Sequence, residues 1–264
     1  MKLDLPKSIA AHLKNADFAA DSIGRSNANV YIFDNGCVLK TEPSSAASDR
    51  ERDMLVWLEG KLPTPKLIEF ECCDGINYLL MTRLNGRMTC DEELFKTPEK
   101  VGRALAEGLK MLWDVDISTL PSSAYSLDEA LSAAKINLKN GTIDTDDLQY
   151  DTLHDGRFSS MEDVFEYLFK NAPASDEFVL CHGDYCLPNV FVGDDGQVSG
   201  FLDLGHCGAL ERWNDVALCL RSLKYNASFY STSPDRAIAA FKEALEMPID
   251  DFKTDYYVLL DEFF

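Results

Sequence analysis

His182-Gly183-Asp184-Tyr185-Cys186-Leu187-Pro188-Asn189, followed downstream by Phe201-Leu202-Asp203-Leu204-Gly205, is the stretch on which the reading of this chain turns. Asp184 falls on a predicted loop after the apolar strand Phe178-Val179-Leu180. A carboxylate there can accept, or simply orient, a hydroxyl proton. Asn189 lies on the same loop, and Asp203 follows a predicted strand over residues 198–202. An amide oxygen and a carboxylate are hard-oxygen ligands suited to Mg²⁺. The plainer alternative is that Asp184 and Asn189 only make turn hydrogen bonds.

HGD by itself does not decide between these readings. HGDxxxxN followed by an apolar strand ending in Asp-x-Gly is far more specific, because it supplies the groups that transfer of a phosphoryl group from a nucleotide to a hydroxyl requires. The upstream chain offers a matching half. Lys40 ends a predicted strand and Glu51 lies early in the next helix, where a carboxylate can fix a lysine against nucleotide phosphates. Singly, each is an ordinary solvated charge. Gly24-Arg25-Ser26-Asn27-Ala28-Asn29 is small and polar, so its backbone N–H groups can approach phosphate oxygens. Without the other motifs it is merely a turn. No GxxxxGK[ST] occurs, which argues against a Walker A site.

Working outward, residues 4–19 read as a helix with Ile9, Leu13 and Phe18 on one face. Strands follow at residues 28–33 and 37–41 around the hairpin signal Asp34-Asn35-Gly36. A helix over residues 44–62 has serine caps and stops at Pro63 and Pro65. Two more strands, at residues 66–72 and 77–82, flank Asp74-Gly75. Beyond the connector Leu84-Asn85-Gly86-Arg87 the pattern turns helical: residues 98–115, 126–140, 161–171, 211–224, 233–245 and 254–264. Residues 141–160 are acidic and polar and read as a loop with a short helical piece. Residues 178–205 read as strand, loop, strand, turn, strand. The class is α+β, with a strand-rich lobe at 1–84 and a helical lobe at 85–264.

The chain has 264 residues and a net charge of −20, which opposes nucleic-acid and anionic-membrane binding and favours a cationic ligand, or signals only solubility. No apolar leader is visible at the start, and a cytoplasmic protein is expected. The 8 cysteines are scattered without a CxxC pair, so reduced thiols are expected rather than zinc. His206 reads as a structural hydrogen-bonder, and Arg221 as a tie between carboxylates. The chain ends Leu259-Leu260-Asp261-Glu262-Phe263-Phe264. That apolar end is expected to dock, and its carboxylates near Asp184 could bind a polycation. Asp144-Thr145-Asp146-Asp147 could form a second acidic wall, or a solvated loop.

The runs HGDYCLPNVFV, GQVSGFLDLGHCG, WNDVALCLRS and the terminal LLDEFF, with ERDMLVWLEGKLPTPK upstream, resemble the aminoglycoside 3'-phosphotransferases over nearly the whole chain. The HGDxxxxN core alone is shared with choline kinases. The resemblance implies a two-lobed protein-kinase-like fold with ATP or GTP in the cleft. It gives Asp184 the catalytic-base role and Asn189 and Asp203 the Mg²⁺ roles. Lys40, positioned by Glu51, meets the α/β-phosphates, the Ser26 loop covers them, and the hinge through Met81, Arg83 and Leu84 holds the base. Asp147, Arg221, Asp261, Glu262 and the Phe264 carboxylate line the antibiotic site. His206, Trp113, Gln149 and Tyr150 depart from the family pattern and bear on the drug spectrum. A choline-kinase-like enzyme for another aminated metabolite, and a pseudokinase, are the alternatives. Monomer and weak homodimer both stay open.

Overall fold

The computed structural model describes all residues except 1, 2, 4, 15, 21–27, 144–151, 154, 155 and 174–176. Ser26, Asp147, Gln149, Tyr150 and His154 therefore lie outside the described residues. In the N-terminal half, β2 (Asn29–Phe33) and β3 (Cys37–Pro43) pair antiparallel, with Tyr31 opposite Leu39. β4 (Leu67–Cys73) and β5 (Ile76–Thr82) form a second hairpin. Asp74 and Gly75 at its tip both have positive φ, 51° and 77°, the mirror-image turn whose twist matches its strands. With β1 (Phe18–Ala20) at one edge, the sheet runs β1-β2-β3-β5-β4.

The first helix is shorter than the periodicity predicts. α1 covers only Lys7–His12, and Phe18–Ala20 forms the edge strand β1 instead. The Phe18 ring lies 5.6 Å from Tyr31 and 5.4 Å from Phe33 across the ladder. Those cross-strand aromatic contacts override the helical spacing, since tertiary packing outweighs local propensity. Ile9 and Leu13 still face the sheet, against Phe33, Leu39 and Leu80.

α2 (Ala46–Leu58) starts from a reciprocal cap: Ser48 N–H donates to Ser45 Oγ at 3.1 Å and Ser45 N–H to Ser48 Oγ at 2.9 Å. Met54, Leu55 and Leu58 turn inward and join Leu79 and Met81 of the sheet. The same apolar cluster continues through Leu105 and Leu109 to Phe201 and Leu204. Sheet and helical portions thus share one core, which fixes the base of the cleft between them.

The rest is mainly helical: α3 (Glu92–Phe95), α4 (Pro98–Trp113), α5 (Leu127–Asn140), α6 (Met161–Lys170), α7 (Trp213–Phe229), α8 (Asp235–Leu245) and α9 (Asp251–Asp261). Short strands carry the motif region. β6 (Arg87–Met88), β8 (Val190–Val192) and β9 (Val198–Phe201) form one small sheet, and β7 (Val179–Cys181) pairs with β10 (Gly208–Leu210). β10 takes the segment just before the expected helix at Glu211, so α7 begins at Trp213. The chain's end is docked: Phe263 is fully buried and its carbonyl accepts from Asn137 Nδ2 at 2.8 Å. All eight cysteines are free thiols. Among the described residues, no helix is long and apolar enough to cross a membrane.

α4 and α8 cross at Gly102. A Cβ there would lie 2.9 Å from Phe241 N and closer still to the Ala237 carbonyl. Both are backbone atoms and cannot swing aside. Gly102→Ala is expected to destabilise the fold by about 1–3 kcal/mol through overpacking, read as a shifted urea midpoint at unchanged slope.

Candidate active site

The loop after β7 is suspended from a buried carboxylate. Asp215, in the first turn of α7, is fully buried and accepts His182 N–H at 2.6 Å and Gly183 N–H at 2.9 Å. Asn214 Nδ2 adds a third donor at 3.0 Å. Burial pushes the Asp215 carboxyl above its ordinary value, against the pull of His182 and these N–H donors. Gly183 has φ +84°, and a Cβ on it would collide with the His206 carbonyl, so only glycine fits. His182 Nε2 bonds the Leu202 carbonyl at 2.7 Å, while its Nδ1 accepts from Asp184 N–H at 3.3 Å. The two bonds fit the tautomer protonated on Nε2. The ring thereby joins the loop carrying Asp184 to the chain just before Asp203.

Asp184 and Asn189 face each other across this loop. Asn189 Nδ2 donates to the Asp184 carbonyl at 3.0 Å and to Asp184 Oδ2 at 2.9 Å. With both amide hydrogens spent, the Asn189 side chain presents only its oxygen to a further partner. The loop is pinned beyond: Leu187 N–H donates to Ser222 Oγ at 3.0 Å, and Tyr185 OH to the Leu105 carbonyl at 2.8 Å.

Asp203 has φ +58°, a left-handed conformation that costs a non-glycine residue on the order of 1–3 kcal/mol. The turn aims its carboxylate at Lys40 Nζ, 3.1 Å away. Lys40 Nζ also meets Glu51 Oε2 at 2.7 Å and Glu42 Oε1 at 3.3 Å. Burial disfavours the Lys40 ammonium, but its three carboxylate neighbours outweigh burial and raise its proton affinity. Burial likewise pushes Glu51 up, to about 7, with Lys40 opposing. Both shifts are upward, so the Lys40 shift favours the ion pair while the Glu51 shift opposes it. The Lys40 direction governs, because the ammonium has several anionic partners while Glu51 has a single counter-ion. Asp203 is held below the usual carboxylate range: burial would raise it, and Lys40 prevails. Burial, then Asp184 and Asp203, raise the Cys186 thiol well above its ordinary value. Both aspartates therefore border the same space.

The terminus reaches this space too. Arg221 on α7 pairs directly with Asp261 and lies 3.8 Å from Glu262, tying the two carboxylates together. Asp261 is pushed up to about 6, by burial first and by the nearby charges of Asp184 and Glu262, while Arg221 opposes. Glu262 is buried, and the Phe264 side chain is exposed. Met81 is buried in β5, and Leu84 packs over Gly200. Arg83 N–H donates to the Gly36 carbonyl at 2.8 Å, which ties the chain after β5 to the β2–β3 turn.

The structure thus ties Lys40 to Glu51 and Asp203, and Asn189 to Asp184, with Asp184 and Asp203 both acting on Cys186 and His206, and Asp261, paired with Arg221, near Asp184. A phosphotransferase enzyme family model matches residues 17–257. An aminoglycoside 3'-phosphotransferase from Enterococcus faecalis is 37% identical over 82% of this chain and 78% of its own length. Another, from Niallia circulans, is 31% identical over 98% of this chain and 97% of its own. The chain belongs to the aminoglycoside 3'-phosphotransferase family. A solved aminoglycoside-3'-phosphotransferase of type VIII superposes with TM-score 0.82 at 26% identity, covering 98% of this chain and 97% of its own. The fold, α+β with a kinase-like pair of lobes, is that of its relatives.

In this phosphotransferase the sequence reading missed two supports. One is Asp215, visible only as an acid inside the WND run at the start of an apolar helix. The other is Arg50, beside Glu51. Asp215→Ala would orphan the His182 and Gly183 N–H groups at about 1–3 kcal/mol each. Chemical denaturation is expected to show that loss, with activity falling further than stability as the loop loses its anchor.

Proposed function

We propose that the protein transfers the γ-phosphoryl group of ATP, with Mg²⁺, to the 3'-hydroxyl of kanamycin- or neomycin-type aminoglycosides, and thereby confers resistance to them. The observation that carries the reading is the convergence of Lys40, Glu51 and Asp203 on the cleft that also holds Asp184 and Asn189. The donor chemistry fits Mg²⁺: Asn189 presents an amide oxygen and Asp203 a carboxylate. Magnesium takes few protein ligands when phosphates complete its shell. When bound, Mg²⁺ supplies positive charge to the triphosphate.

The chain's own groups do the rest. Lys40, kept charged by its carboxylates, places its ammonium at the α/β-phosphates, and Glu51 holds it there. Asp184 orients the acceptor hydroxyl and takes its proton as the hydroxyl oxygen bonds the γ-phosphorus and the bond from that phosphorus to the β,γ-bridging oxygen breaks, ADP leaving with the electron pair. The backbone from Met81 to Leu84 contacts the base, and the Ser26 loop covers the phosphates. Asp261, Glu262, the Phe264 carboxylate and Asp147 bind the drug's ammonium groups, with Arg221 spacing the terminal carboxylates. Polycation binding suits the net charge of −20. The lobes meet at Leu84, giving 1–84 and 85–264.

Asp184→Ala is expected to cut turnover by about 10²–10⁴-fold, the usual worth of a proton-accepting group, while circular dichroism stays unchanged. Full activity in that variant would remove Asp184 from the reaction. A coupled assay separates drug from metabolite: kanamycin reacts, whereas tobramycin, which lacks the 3'-hydroxyl, does not. Choline phosphorylation without kanamycin turnover would favour the metabolite kinase.

The Asp261 shift gives a pH dependence with a definite sign. With its proton affinity raised to about 6, the group is a carboxylate above that pH and neutral below it. KM for kanamycin is expected to rise as pH drops from 7 to 5.5, and Asp261→Asn to flatten that rise. A profile identical in both proteins would take Asp261 out of drug binding.

A further inference from the structure

Resting on the roles proposed for Lys40, Glu51 and Asp203, we propose that Arg50 is a positioning residue that locks α2 to the Asp203-Leu204-Gly205 turn, so that the Lys40–Glu51–Asp203 cluster stands assembled before any nucleotide binds. Arg50 and Glu51 are neighbours on α2 and point about 100° apart around the helix axis. Glu51 meets Lys40 of the sheet. Arg50 turns the other way and is buried at 3% exposure.

Every partner of the guanidinium comes from beyond Leu84. Its Nε–H donates to the Ser123 carbonyl at 2.5 Å and its Nη1–H to the Gly205 carbonyl at 2.5 Å, while Nη2 pairs with Glu129 on α5. Its face lies over the Tyr125 ring, 5.0 Å from the centroid. A planar fork with several fixed N–H directions can serve two carbonyls and a carboxylate together, which an ammonium cannot. The anchored segments are themselves linked. Tyr125 N–H donates to the Cys207 carbonyl at 3.0 Å, and Ser123 Oγ to Asp53 of α2 at 2.7 Å. Gly205 lies so close to α2 that a Cβ would sit 3.2 Å from the Ala47 carbonyl.

Gly205 follows Asp203 within the same tight turn, so displacing α2 pulls two things apart. Glu51 leaves Lys40, and the Gly205 carbonyl loses its buried donor, freeing the turn that aims Asp203. A helix free to swing would make activity depend on a separate ordering event. The Arg50 contacts remove that freedom.

Two measurements test this. The first is amide exchange of the wild-type protein: α2 is expected to be as protected without nucleotide as with Mg²⁺ and a non-hydrolysable ATP analogue. Fast exchange of residues 46–58 relieved only by the nucleotide would overturn the proposal. The second compares Arg50→Lys, Arg50→Met and the milder Glu129→Gln, whose target side chain is 40% exposed. Arg50 variants are expected to lose about 10²-fold in kcat/KM for ATP, the worth of a misplaced reacting geometry, and to need more Mg²⁺ for half-maximal rate. KM for kanamycin stays within about twofold because the drug site is untouched. Glu129→Gln moves the same constants in the same direction by less. A lowered melting temperature with unchanged ATP and Mg²⁺ dependence means a structural role only, and overturns the proposal. Glu51→Gln and Asp203→Asn serve as controls. If they retain full activity, the underlying site reading fails; if they are inactive while Arg50 variants are normal, only the Arg50 proposal fails.

Discussion

One ammonium among three carboxylates organises this protein. Lys40 meets Glu51, Asp203 and Glu42; Lys40 and Glu51 are buried, where like charges repel strongly unless a cation separates them, while the Asp203 carboxylate is 46% exposed. The Lys40–Asp203 pair joins the sheet portion to the turn after β9, and the Lys40–Glu51 pair ties the sheet to α2. Helix, sheet and turn must hold their places for the charges to balance. Because a single ammonium faces three acids, the cluster remains net negative.

The supports around it follow from the cost of leaving buried polar groups alone. Asp215 is tolerated in the core because it collects backbone N–H groups from the loop that carries Asp184. Arg50 is tolerated beneath α2 because it is met by carbonyls and Glu129. In each case satisfying a buried charge and fixing the loop are the same act. The left-handed Asp203 is held from both sides, by Arg50 at Gly205 and by His182 at Leu202. Strain in a functional side chain persists only under such constraint.

The terminus shows the same economy. Arg221 gathers Asp261 and Glu262, and Phe263 is driven into the core, so the carboxylates stand on an immobile end rather than a frayed one. Burial first, and then the charges of Asp184 and Glu262, raise Asp261 against the pull of Arg221.

Much of this was legible along the chain because the signals are local. Hairpin turns at Gly36 and Gly75, the serine cap at Ser45, and the spacing of Asp184, Asn189 and Asp203 are written within a few residues of where they act. Phe18 was misjudged because its partners, Tyr31 and Phe33, lie on another strand, and helical periodicity cannot register them. Arg50 and Asp215 were passed over because a charged residue on a helix carries no mark of burial. Sequence by itself determined most of the elements, a set of candidate reactive groups and the kinship. Tertiary structure alone decided that Lys40 and Asp203, distant in the chain, neutralise each other, and that Arg50 and Asp215 are interior. Electrostatic energy depends on separation in space and access to water, and neither quantity exists until the chain has packed.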